Sequence, residues 1–323
     1  MSARDLSRRR LPNKCTAGRP APDGIHFSPG CDGARDHGGQ HRYCEYDLGK
    51  DGPEVTNVLL TGAAGRMGPT IRDGLRGRYS MLRVSHHRLD RLGEAAAGEE
   101  LNQSDLCSLD DMEAAMDGID VVIHMGGRGT EGEWEVIHEK NIVGTYNVFE
   151  AARRQKVSRV IYASSHHAVG FHRRSKTLDL DVEPRPDGPY GVSKVFGETL
   201  GRMYADKHGM SVVSLRIGAF RQKPEDIRQL SVWLSPKDCI QLLERCIEAT
   251  DIHYAVIYGI SNNTRAIWDN SDAALIGYKP KDNAEDYLEE VLRDGKPEGE
   301  IATLFHGGHF CQMGFDGDPS RID

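Results

Sequence analysis

Tyr190 and Lys194 stand four apart in Tyr-Gly-Val-Ser-Lys, downstream of Ser164-Ser165 and of a glycine-rich Thr61-Gly-Ala-Ala-Gly-Arg-Met-Gly68 run. On a helix that spacing stacks the two side chains on one face. A phenol beside an ammonium is a general base suited to the oxidation of an alcohol. A free phenol has a pKa of about 10, and each unit of depression is worth about 1.4 kcal/mol, so reaching neutral pH takes roughly 4 kcal/mol. One positive charge about 4 Å away supplies roughly that at an effective dielectric near 20. Lys194 is therefore expected to hold the Tyr190 phenol below its free value. Read alone, Tyr-x-x-x-Lys is an ordinary helix pair; its order after the glycine run and the serine pair gives it chemical meaning.

The elements that must position these groups alternate between strand and helix. Val58-Leu59-Leu60 is a short apolar run, followed by Gly62, Gly65 and Gly68 and then a helical pattern in Met67, Ile71 and Leu75. Glycines at such a turn let backbone amides approach a pyrophosphate at the positive end of the helix. A helix opened by Ser108, with Asp111 in the capping position and Gly118 at its end, leads to the strand Val121–His124. Val160–Ala163 and Val212–Ile217 continue the series. Alternation of this kind predicts an α/β fold: a Rossmann-type doubly wound parallel sheet with a small C-terminal substrate-binding region. Gly62, Gly126, Ser165 and Gly218 each follow a predicted strand, so they converge on one crevice beyond the strand ends. The expected division is an extension over 1–54, a dinucleotide-binding domain over 55–218 and a substrate-binding region over 219–323.

Bulk properties narrow the partners. The chain has 323 residues and a formal net charge of -8, which argues against a nucleic-acid surface. No stretch approaches the roughly 20 apolar residues of a membrane helix, and Arg8-Arg9-Arg10 is not followed by the apolar run of a secretory signal. Seven cysteines without paired spacing fit free thiols in a reducing cytoplasm. Residues 1–54 are too rich in Gly, Pro, Arg and Asp to bury a core, so they read as a disordered or non-native extension. Cys15, Cys31 and Cys44 alternate there with His26, His37 and His41, but without the short two-ligand spacing of a zinc site. No metal is expected there, at the histidine pairs 86–87 and 166–167, or at His306 and His309.

Thr-Gly-x-x-Gly-x-x-Gly, His124-Met-Gly-Gly, Ser165 and Tyr190-x-x-x-Lys194 together resemble the extended short-chain dehydrogenase/reductase family in order and spacing. The likeness is closest to the uronate dehydrogenases and runs from Val58 to Phe315. Its more specific stretches are Ala163-Ser-Ser-His-His, Arg185-Pro-Asp-Gly-Pro-Tyr-Gly-Val-Ser-Lys, Arg216-Ile-Gly, Trp268-Asp-Asn-Ser and Lys279-Pro-Lys-Asp-Asn-Ala-Glu. The resemblance implies oxidation of the anomeric hydroxyl of a sugar acid to an aldonolactone, with NAD as oxidant. Tyr190 would take the hydroxyl proton, Ser165 would orient the substrate oxygen, and Lys194 would hold the nicotinamide ribose, with Asn141 supporting the lysine through water or backbone. The cofactor contacts it implies are Gly62, Gly65, Arg66, Met67, Gly68, His86, Arg88, Asp105, Leu106, Met125, Gly126, Gly127, Asn141, Tyr190, Lys194 and Ile217. The substrate contacts it implies are Arg128, Ser165, His166, His167, Tyr190 and Arg228, the last matching a carboxylate-binding arginine. Members of the family are often homo-oligomers.

Several positions depart from that pattern. Gly129 and Ala219 stand where the uronate enzymes have serines, and His166 stands where they have an asparagine. Arg128, Arg221 and Lys223 add cations nearby in sequence. Fewer hydroxyls and more cations predict a different or bulkier anion, such as a sugar phosphate or sulfonate: glucose 6-phosphate or sulfoquinovose. His86, followed by His87 and Arg88, replaces the acidic residue that favours NAD, which leaves NADP open. Two rivals remain at this point: a nucleotide-sugar epimerase or dehydratase, and a non-catalytic nucleotide-sensing scaffold.

Overall fold

The computed structural model describes residues 57–323; the expectations for residues 1–54, the Cys/His metal question among them, lie outside the described residues. Seven strands form one parallel sheet: β1 (Asn57–Thr61), β2 (Met81–His86), β3 (Glu99–Gln103), β4 (Val121–His124), β5 (Arg159–Ser165), β6 (Ser211–Ile217) and, as its last strand, Tyr254–Gly259. Two short strands, β7 (Ala219–Phe220) and β8 (Trp233–Leu234), pair separately, so the last strand of the large sheet is β9. The order β3-β2-β1-β4-β5-β6-β9 reverses direction of growth at β1. The crevice beyond β1 and β4 is where such sheets bind ligands.

Period-2 side-chain alternation divides the core between the two sheet faces. Val58 and Leu60 join Ile123, Ile161, Val213 and Leu215 on one face, packed with α1 (Gly68–Leu75) and, further along the chain, the helix Pro236–Glu248. Leu59 joins Val122, Val160, Tyr162 and Val212 on the other. That second face is covered by α2 (Leu109–Ala115), by α3 (Trp134–Ile137) running through a π turn at His138–Val143 into α4 (Gly144–Arg154), and by α5 (Pro189–His208). Ser108 caps α2 as expected: its hydroxyl accepts from the Asp111 amide at 3.2 Å and donates to the Asp111 carboxylate at 2.9 Å.

The 20-residue α5 starts on Pro189 and stops at Gly209, which takes φ +70°. Beyond β6 come β7, α6 (Gln229–Val232), β8 and α7 (Pro236–Glu248), then β9 and three helices, α8 (Leu288–Asp294), α9 (Glu300–Leu304) and α10 (His309–Gln312). The region after 218 therefore supplies α7 and β9 to the large sheet as well as the segments near the site. No helix among the described residues is long and apolar enough to cross a membrane.

Candidate active site

The carboxyl ends of β1 and β4 are tied together. The Thr61 hydroxyl accepts from the Gly126 amide at 3.1 Å and bonds His124 Nδ1 at 2.9 Å. Gly62 adopts φ +69°, and a Cβ there would lie 2.8 Å from Gly126 backbone atoms, so only glycine allows the two loops to meet. Gly65, Arg66, Met67 and Gly68 then lead into α1, whose first amides lack intrahelical acceptors. Met125, Gly126 and Gly127 line the β4 side. Leu106 packs against Gly126, with its carbonyl held by Asn147 at 2.9 Å, and Asp105 caps the Cys107 amide at 3.0 Å. Ile217 pairs in register with Ser165. A backbone crowded to contact, beside exposed helix amides, fits a dinucleotide.

His86 ends β2, and its Nδ1 accepts from the Arg88 amide at 3.1 Å. The Arg88 guanidinium is engaged with Asp90 at 2.7 Å, and burial pulls the His87 imidazole below its ordinary pKa.

Ser165, Tyr190 and Lys194 come together as the spacing implies. Tyr190 and Lys194 lie on the buried side of α5, with the Ser165 hydroxyl near enough to act on the phenol. Lys194 Nζ donates to the Ala163 carbonyl at 2.8 Å and sits 5.4 Å from the Tyr190 ring centroid. The expected depression of the phenol is overturned. Burial, partly opposed by the nearby Ser165 hydroxyl, pushes Tyr190 up to about 12. Burial also pulls Lys194 down to about 8. One ammonium at that distance offers roughly 3 kcal/mol at an effective dielectric near 20, less than the loss of hydration.

Asn141 hydrogen-bonds the Arg128 amide (2.7 Å), the Arg128 carbonyl (3.0 Å) and the Ser193 hydroxyl (3.0 Å). Ser193 in turn donates to the Tyr190 carbonyl at 2.6 Å. Asn141 thus joins the β4 loop to the helix that carries the phenol. Glu131, on the same loop, adds a second tie that the sequence did not reveal. Its carboxylate accepts from the Tyr190 amide at 3.3 Å, against the positive end of α5.

Just after β5, His166 Nδ1 bonds the Ile217 carbonyl at 3.0 Å while Nε2 meets Arg228 Nη1 at 3.3 Å. Nδ1 must donate to a carbonyl, so Nε2 accepts from the guanidinium; burial, which pushes His166 well below the ordinary imidazole pKa, keeps it neutral. His167 lies beside Tyr190 with centroids 5.7 Å apart. Phe310 stacks on His167 at 3.9 Å, a contact that no local motif signals. Arg128 is exposed, its guanidinium 3.4 Å from the Glu131 carbonyl. The expected surplus of cations is reduced: Arg221 pairs with Glu225 at 3.4 Å, and Lys223 pairs with Glu290.

A parallel dinucleotide-type sheet with serine, tyrosine and lysine gathered at its strand ends is the arrangement of short-chain dehydrogenases/reductases. Residues 58–225 match the model of the NAD dependent epimerase/dehydratase family. Uronate dehydrogenase of Pseudomonas syringae pv. tomato is 38% identical over 81% of this chain and 95% of its own. An NAD-dependent glucose-6-phosphate dehydrogenase of Haloferax volcanii is 37% identical over 72% of this chain and 96% of its own. Among solved structures, a variant of Agrobacterium tumefaciens uronate dehydrogenase complexed with NAD superimposes with a TM-score of 0.76, at 37% identity over 80% of this chain and 97% of its own. The chain belongs to the NAD dependent epimerase/dehydratase family and is an oxidoreductase acting on a CH–OH group.

Proposed function

We propose that this protein oxidises the C1 hydroxyl of a hexuronate, in its cyclic form, to the aldonolactone. The observation that carries the substrate class is Arg228. This half-buried guanidinium is oriented by His166 at 3.3 Å, whose ring meets His167, which in turn lies beside Tyr190. A planar guanidinium with unused N–H groups suits a carboxylate held in two-point contact. Uronate-oxidising relatives at 38% identity support the same reading.

NAD, when bound, supplies the hydride acceptor and a positive ring charge near the phenol. The residues of this chain do the rest. Gly62, Gly65 and Gly68 with the first turn of α1 would hold the pyrophosphate, and Lys194 would hold the nicotinamide ribose. Ser165 donates to the C1 oxygen and fixes it against Tyr190. Tyr190 Oη, once its own proton has been lost to solvent, takes the hydroxyl proton as hydride leaves C1, so the C–O bond becomes a carbonyl. Placement of these groups accounts for much of the rate. NAD is taken as the preferred nucleotide because the solved uronate dehydrogenase relative is complexed with NAD.

The test is a substrate panel followed by nicotinamide absorbance with both nucleotides: galacturonate, glucuronate, glucose 6-phosphate, sulfoquinovose and UDP-glucose. A uronate is expected to give the highest kcat/KM, with NAD at least about tenfold better than NADP. A preference for the phosphate or sulfonate sugar would replace the uronate reading, and a preference for NADP would overturn the assignment of the nucleotide.

A further inference from the structure

His167, one of the substrate contacts the resemblance implies, forms a buried pair with Asp187, which the chemistry above leaves without a task. Asp187 Oδ2 lies 2.6 Å from His167 Nδ1. The carboxyl group reaches this position from the turn ahead of α5, three residues before Tyr190. Gly170 and Gly307 enclose it: a Cβ at either would lie 2.1 or 1.9 Å from Oδ2. Cys311 Sγ stands 3.9 Å away. Asp187 Oδ1 is buried with no hydrogen-bond partner, an arrangement that suits a neutral carboxyl far better than a carboxylate. The imidazole is gripped between Phe310 at 3.9 Å and His166 at 4.0 Å, edge-on to Tyr190. Its Nε2, turned away from Asp187, bonds no protein group and is not sealed in the interior.

We propose that Asp187 is a positioning residue that keeps a hydrogen on His167 Nε2, so that the imidazole donates to a sugar oxygen beside Tyr190. This deepens the reading above and rests on it. A neutral imidazole carries one N–H, and the partner at one nitrogen decides what the other presents. One proton shared between Asp187 Oδ2 and His167 Nδ1 leaves the ring's second hydrogen on Nε2. Removal of that shared proton would leave Nδ1–H facing a carboxylate and Nε2 a bare acceptor. Burial pushes the Asp187 carboxyl up and the His167 imidazole down, and both directions oppose charge separation within the pair. The titratable and charged groups facing the pair are Arg228, His166, Tyr190 and Cys311.

The experiment uses the full chain with NAD, 15N-labelled at histidine, with H167Q to assign the signal and D187A and D187N as tests. In the wild type His167 Nε2 is expected to be protonated at pH 7. In D187A the proton redistributes between the two nitrogens. The uronate KM then rises by about tenfold, the worth of one hydrogen bond to substrate, while kcat and NAD affinity change far less. D187N, whose amide donates to Nδ1, retains Nε2–H and most of the affinity. A wild-type Nε2 without hydrogen, or a D187A protein with unchanged nitrogen shifts, overturns the proposal, as does loss of Nε2–H in D187N. If the wild type oxidises no uronate, the proposed reaction fails, and the nitrogen shifts still decide what Asp187 does. If D187A no longer binds NAD, the wild-type and D187N shifts decide.

Discussion

In the proposed reaction Tyr190 is the acid–base group, and its burial sets how it responds to pH. Its phenol is pushed up to about 12, so proton acceptance from the sugar is assisted by every charge that favours phenolate. Tyr190→Phe is expected to lower kcat by about 10²- to 10⁴-fold, the usual worth of a positioned base, with NAD affinity unchanged in a fluorescence titration. Oxidation should quicken with rising pH above neutrality, and Lys194→Met should move that rise to higher pH. Lys194 itself carries a stability signature. Its folded pKa of about 8 lies below the free value, so between about 8 and 10 the unfolded chain binds more protons than the folded one. Stability from this group is therefore present at high pH and is lost as pH falls through 8, by up to roughly 3 kcal/mol. Urea unfolding of wild type and Lys194→Met at pH 7 and pH 10 should show the wild type gaining on the variant at the higher pH. An equal difference at both values would mean that the ammonium is hydrated.

Among the elements, the π turn at His138–Val143 matters most to the site, because it aims Asn141 at both Arg128 and Ser193. Asn141→Ala removes three hydrogen bonds from buried or half-buried partners, each worth about 1 kcal/mol net. The expected result is a stability loss of roughly 2–3 kcal/mol in urea, together with a lower kcat as the β4 loop and α5 lose register. A variant as stable and active as the wild type would show that the clamp is redundant. The strands that carry the site were legible because each is an apolar run ending in glycine or serine, as in Val58–Leu60 before Gly62. β3 was not, since Glu99-Glu-Leu-Asn-Gln103 is a polar edge strand with no apolar run. It is held from neighbouring elements, by Arg72 of α1 on Glu99 at 2.7 Å and Arg83 of β2 on Glu100 at 2.9 Å. The clamp by Asn141 was equally hidden, because it depends on a helical irregularity that no residue pattern announces.

At the scale of the whole molecule, one wall of the proposed substrate cleft comes from C-terminal residues far in sequence from those it meets. Arg174 holds Glu298 at 2.8 Å, Phe171 meets the Phe305 ring, and the Gly307 amide donates to the Gly170 carbonyl at 2.9 Å. Arg173 donates to the Ile322 carbonyl at 2.7 Å and pins the end of the chain. These ties set Phe310 on His167 and bring Gly308, at φ +61°, against Arg228. A sequence reading could place His167 and Arg228 by alignment, yet the His306-Gly-Gly-His309 stretch offered only a metal question, because its partners are distant in the chain. Phe310→Ala separates the wall from the catalytic triad: it deletes the stacking surface of His167 and leaves Ser165, Tyr190, Lys194 and the glycine loop in place. The uronate KM should rise by about tenfold, with a smaller change in kcat and none in NAD affinity, since stacking contributes about 1 kcal/mol beyond the area it buries. Equal loss of NAD and sugar binding would instead make the C-terminal wall a general support of the fold, and an unchanged KM would leave the sugar outside its reach.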